Sequence, residues 1–201
     1  MSRLKNMSMR QSVDQERITE FLRRLGEHSR VAGRVYLVGG ATIVFEGYRS
    51  RTLDIDLTLE AAPADEEKLL RALRELKDTF SVNVELVSPG DFIPLPAGYR
   101  ERSTFVGRFG GLDVFHFDLY STALAKIERG TEQDYADVLA LLKGRRIAWA
   151  TLEQYYREIL PSYGVRSLKQ DPAEFEKKFR ALERKWTQIN ADKNLRSSVS
   201  E

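Results

Sequence analysis

The spacing of hydrophobic residues changes several times along the chain, and each change marks an element. Over 12–29, Ile18, Phe21, Leu22 and Leu25 recur at helical spacing, with Ser12 placed to cap the start. Val35 and Leu37 then alternate with Tyr36 and Val38, a strand that ends at Gly39-Gly40. A short helix, a basic loop and a second strand follow. Residues two apart on a strand share a face, so Asp54 and Asp56 point one way and Leu53, Ile55 and Leu57 the other. Pro63 opens a helix with an apolar stripe of Leu69, Leu70, Leu73 and Leu76. Residues 82–87 read as a third strand, with Val82, Val84 and Leu86 on one face and Asn83 and Glu85 on the other.

Residues 88–100 contain Pro89, Pro94 and Pro96 and read as a loop beside the presumed site, a candidate for gating substrate entry. The stretches 103–109 and 112–117 alternate around Gly110-Gly111, the pattern of a hairpin. Asp118 is placed to cap the helix that follows. Two helices broken at Gly130 cover 119–143; Lys126 sits on the first, and Asp134 and Asp137 lie one turn apart on the second. A short helix is expected over 151–160. A longer one over 172–189 carries Phe175, Phe179, Leu182 and Trp186 on one face. Residues 1–10 are expected to fray, and 190–201 to form a disordered tail.

Composition narrows the class. The 201 residues are 42% hydrophobic and 31% charged, the balance of a soluble globular chain that can bury a substantial core. There is no cysteine, which removes disulfides and thiolate metal sites and is compatible with the cytoplasm, the location expected here. With His28 and His116 as the two histidines, the sequence offers no His-rich zinc site. No apolar run approaches a membrane span, and the N-terminus has no signal-like apolar core, so no membrane partner is expected. The net charge of +2 is unevenly spread, with 13 Lys+Arg against 8 Asp+Glu over 141–201.

The chemistry concentrates between Val35 and Glu60. Adjacent carboxylates repel, and a divalent cation relieves that repulsion. Oxygen donors suit a hard ion, magnesium or manganese, which keeps positions open for water and a triphosphate. Asp54 and Asp56 are therefore the candidate metal ligands. The Gly39-Gly40 turn lets backbone N–H groups approach a phosphate, and Arg49 and Arg51 supply cations nearby. Taken alone, a D-x-D pair is a common exposed polar face; the ordered combination is what distinguishes it. Glu85 is either a third carboxylate acting as general base or a solvated strand residue. Lys126 needs a charged partner, met by a bound phosphate or by Asp134 or Asp137 as an ion pair. The basic residues Lys177, Lys178, Arg180, Arg184 and Lys185 either track an RNA backbone or form a solvated face.

Gly39-Gly40, Arg51-Thr52 and Asp54-Ile55-Asp56, in that order, resemble the signature of the DNA polymerase β-like nucleotidyltransferase superfamily. The similarity is to its small prokaryotic branch, which includes AbiEii and MenT-type toxins of toxin–antitoxin systems. Aminoglycoside nucleotidyltransferases carry a similar arrangement. One departure stands out: many relatives have Gly-Ser where this chain has Gly39-Gly40, so Thr42 or Thr52 has to supply the hydroxyl. The resemblance further implies that Lys126 contacts the triphosphate and that Asp137 or Asp134 supports the site. It implies an NTP co-substrate, with RNA or tRNA, a small antibiotic or a protein as acceptor and a cognate antitoxin as partner. A non-catalytic binding module on the same fold is the other reading. The expected architecture is α/β (α+β), a mixed twisted sheet flanked by helices over 1–118. A helical region over 119–189 follows, and the site lies at the end of the sheet.

Overall fold

Five strands, β1 (Gly33–Leu37), β2 (Asp54–Ala61), β3 (Asn83–Leu86), β4 (Thr104–Phe109) and β5 (Leu112–His116), form one mixed sheet in the order β3-β2-β1-β5-β4. β1 runs antiparallel to β2 and parallel to β5. β2 and β3 are parallel, a pairing that needs a crossover, here α3 (Pro63–Thr79). α1 (Gln15–Ser29) precedes the sheet and α2 (Gly39–Phe45) follows β1. The computed structural model describes residues 12–165 and 171–198, with side chains as far as 192. The expected fraying of 1–10 lies outside the described residues. The chain divides into two compact units, Met1–Ser88 with Arg100–Asp118, and Pro89–Tyr99 with Leu119–Glu201.

In the sheet unit one face is buried. Val35, Leu37, Ile55, Leu57, Val84, Leu112 and Val114 pack with Phe21, Leu22 and Leu25 of α1 and Leu69, Leu73 and Leu76 of α3. Full burial of one such large side chain is worth about 1.5–3 kcal/mol. Asp14, not Ser12, caps α1: its carboxylate accepts from the Arg17 backbone N–H at 3.0 Å. Two strand residues also depart from alternation. Leu53 is 72% exposed, because Thr52 already pairs with Val13 in an isolated antiparallel bridge and β2 begins only where Asp54 meets Asn83. Leu86, at the end of an edge strand, is 51% exposed.

The β4–β5 hairpin turns at Gly110-Gly111, with φ +61° at Gly110. The hairpin lies directly on α1: a Cβ at Gly26 would stand 2.0 Å from the Phe109 carbonyl oxygen.

The helical unit holds α4 (Leu119–Arg129), α5 (Glu132–Lys143), α6 (Trp149–Ile159) and α7 (Pro172–Ser198). Gly130, with φ +69°, ends α4, and the Thr131 hydroxyl then caps α5 by accepting from the Asp134 N–H. The core is aromatic: Tyr156 stacks on Phe179 at 3.9 Å and Tyr163 on Phe175 at 4.6 Å. Phe175, Phe179 and Leu182 are buried as expected, while Trp186 is half-buried. α7 runs past the expected end at 189 to Ser198, because Ala191, Lys193, Leu195 and Arg196 are helix formers with no Gly or Pro to stop them. Residues 199–201 lie outside the described residues. Pro89–Tyr99, expected as a loop beside the site, belongs to the helical unit, where Ile93 is 1% exposed.

Candidate functional site

Pairing register gathers the sequence motifs at one end of the sheet. The Val38 N–H donates to the Asp56 carbonyl at 3.0 Å, which ties the end of β1 to the start of β2. On the other side of β2, Asn83 lies opposite Asp54 and Glu85 opposite Asp56. Ile55 and Leu57 are fully buried and Asp54 and Asp56 half-buried, so the two acids do share the outward face.

The two glycines are held against this strand. Gly39 has φ +54°, and a Cβ there would stand 2.3 Å from Asp56 Oδ2. A Cβ on Gly40 would stand 2.2 Å from Thr52 Oγ1. The Thr52 hydroxyl thus occupies the space that a side chain at residue 40 would need. Thr52 itself is 7% exposed. Thr42 is fully buried, and its hydroxyl donates to the Leu37 carbonyl at 2.9 Å, joining β1 to α2. Arg49 is half-buried with a guanidinium nitrogen 3.5 Å from the Cβ position of Gly40. It also lines a groove of about 970 Å³ with Asp14, Glu16, Thr19, Glu20 and Val44. Arg51 is exposed and turned to the start of α1, 3.5 Å from Asp14 and 3.4 Å from Ser12 Oγ.

Glu85 is exposed. Between it and Asp54 stands Asn83, whose side-chain amide donates to Asp54 Oδ1 at 2.5 Å and to Glu85 Oε1 at 3.0 Å. Among the described residues no three His, Cys, Asp or Glu side chains converge as a metal cluster; Glu85 lies opposite Asp56 in the β2–β3 register. Asp118, expected to cap α4, is 1% exposed and accepts from Arg102 Nε at 3.1 Å and from a terminal nitrogen at 2.9 Å. This pairing of a half-buried arginine with a buried aspartate is a feature the sequence did not announce.

In the helical unit, Lys126 is 3% exposed. Its ammonium donates to Asp137 at 2.6 Å and to Asp134 at 3.2 Å. Both aspartates are among the partners the sequence left open. Arg129 adds a bond to Asp134 at 2.5 Å, and Gln133 one to Asp137 at 3.1 Å. Burial pushes the Asp134 carboxyl up, but the Lys126 charge and the bonds from Thr131 and Arg129 outweigh it and hold the group below its ordinary value.

Residues 15–192 match the family described as nucleotidyltransferase of unknown function (DUF6036). The chain belongs to this nucleotidyltransferase family. No curated protein and no solved structure matches it. The match supports the nucleotidyltransferase superfamily and carries no assignment to the toxin branch. Among the described residues of this nucleotidyltransferase no helix is long and apolar enough to cross a membrane.

For a nucleotidyltransferase, the residues that could hold a metal are Asp54 and Asp56. They present oxygen donors on one strand face, the donor set of a hard divalent ion. The residue that sequence reasoning passed over is Asn83. Its alternation with Val82 and Val84 was the available signal, but its position opposite Asp54 depends on strand register.

Proposed function

We propose that the protein transfers a nucleoside monophosphate from an NTP to an acceptor hydroxyl, with Asp54 and Asp56 holding magnesium or manganese. The observation that carries this reading is the Gly39-Gly40 turn pressed onto the acidic strand, with Asp56 Oδ2 filling the space above Gly39. A bound ion would offset charge on the phosphates and on the leaving pyrophosphate. The remaining work is positioning. Glycine at 39 and 40 is what lets the turn lie against Asp56 and Thr52, and backbone N–H groups of such a turn suit a phosphate. Arg49 faces the same turn, and Thr52 brings a hydroxyl to the place where relatives carry serine. The acceptor oxygen bonds to the α-phosphorus, the bond to pyrophosphate breaks, and the acceptor proton passes to solvent. Lys126 enters as the buried centre of the helical unit, its charge met by Asp134 and Asp137.

The resemblance to toxin nucleotidyltransferases favours tRNA or another RNA end, or a protein, as acceptor and a cognate antitoxin as partner. The basic residues of α7 add little to that choice. Lys177 pairs with Glu174, Arg180 with Glu176 and Glu183, and Lys185 with Glu132, the pattern of a solvated face.

The test is incubation with magnesium, each α-labelled NTP in turn and total tRNA, with the Asp54→Ala, Asp56→Ala double variant as control. Label moving to RNA with the wild type alone is the expected result. Magnesium-dependent NTP binding without transfer would redirect the search to small-molecule or protein acceptors. Neither transfer nor binding would overturn the reading.

A further inference from the structure

We propose that Asn83 is a positioning residue for the acidic pair, and that Glu85 acts through it rather than as a third metal ligand. The proposal rests on the reading that Asp54 and Asp56 hold a divalent ion.

A side-chain amide nitrogen has two N–H donors and no acceptor. Asn83 directs its amide nitrogen to two carboxylates at once, Asp54 at 2.5 Å and Glu85 at 3.0 Å. The arrangement follows from the sheet: Asn83 and Glu85 alternate along β3, and β3 runs parallel to β2 with Asn83 opposite Asp54. A carboxylate has two oxygens. With Oδ1 of Asp54 accepting from Asn83, Oδ2 is left for a cation, and the rotation of the group is fixed. Glu85 in turn fixes the amide, since its acceptor oxygen decides which way the Asn83 side chain is flipped. A neutral donor between two acids also eases their repulsion, which a third carboxylate at residue 83 would increase. Partners of this kind, one bond removed from the metal, tune its affinity by 10–100-fold in other sites.

The experiment measures Mn²⁺ binding to the full chain from the electron paramagnetic resonance signal of free aqueous Mn²⁺, without nucleotide. Thermal unfolding checks that each variant is folded. Asn83→Ala is expected to bind Mn²⁺ about tenfold more weakly than wild type. Glu85→Gln keeps an oxygen that accepts from Asn83 and is expected to lose far less Mn²⁺ affinity than Asp56→Ala, as the conservative variant at an indirect partner should. Two results would overturn the proposal alone: Asn83→Ala binding as tightly as wild type, or Glu85→Gln losing as much as Asp56→Ala, which would make Glu85 a ligand. Wild type that takes up no Mn²⁺ overturns the metal reading itself and this proposal with it. Should Asn83→Ala fail to fold, the Glu85→Gln result still decides between ligand and indirect partner.

Discussion

Gly39 meets two demands that only glycine satisfies together. Its φ of +54° is costly for a residue with a Cβ, and that Cβ would lie 2.3 Å from the Asp56 carboxylate. Gly39→Ala is therefore expected to lose about 1–3 kcal/mol of stability, measured by urea unfolding, and to weaken magnesium-dependent NTP binding in the same sample. Lys126 sets the matching expectation in the helical unit. Lys126→Met leaves Asp134 and Asp137 buried without their ammonium partner, and the expected loss is about 3–5 kcal/mol. The sign with pH is fixed by Asp134, whose carboxyl is held below its ordinary value of 3.8. Stabilisation from that group is complete above 3.8 and fades as pH falls through the lower folded value. The gap in melting temperature between wild type and Lys126→Met should narrow in acid. A gap that stays constant down to unfolding would show that the ion pair is not its source.

The elements were legible wherever periodicity is local. The acidic face of β2, the Gly110-Gly111 hairpin and the Pro63 start of α3 can all be read from neighbouring residues. Where a feature depends on a distant partner, the reading failed. Leu53 falls out of β2 because Thr52 is claimed by Val13. Asn83 acquires its place only through the register of β3 on β2. The packing of α1 on the hairpin was equally hidden, and it reverses a propensity rule. Gly26→Ala within a helix would ordinarily stabilise by about 0.5–1 kcal/mol. Here the added Cβ meets the Phe109 carbonyl at 2.0 Å, so the substitution should destabilise. Urea midpoints of the two proteins decide the sign.

Over the whole molecule the chain passes between its units more than once, since Pro89–Tyr99 belongs to the helical unit although it lies between β3 and β4. A chain ended after Asp118 would carry that segment without its partners and expose Ile93, which is 1% exposed in the intact protein. Such a chain is expected to aggregate or to unfold at a lower temperature. Replacing 89–99 with a short Gly/Ser linker should recover a sharper melting transition. If the linker variant melts no better than the simple truncation, the segment is not the cause.

The strand order has a consequence for synthesis. β1 sits at the centre of the sheet, yet one of its two neighbours is β5, with Gly33 opposite Leu112 and Leu37 opposite His116. A polypeptide leaves the ribosome from its N-terminus, so β1 emerges early and then waits with one open edge while α3 and β3 are made. Only when residues 112–116 clear the exit tunnel can the edge close. The nascent chain is thus most exposed to β-pairing with neighbouring chains just before the hairpin appears, and a translational pause at that point would lengthen the hazard.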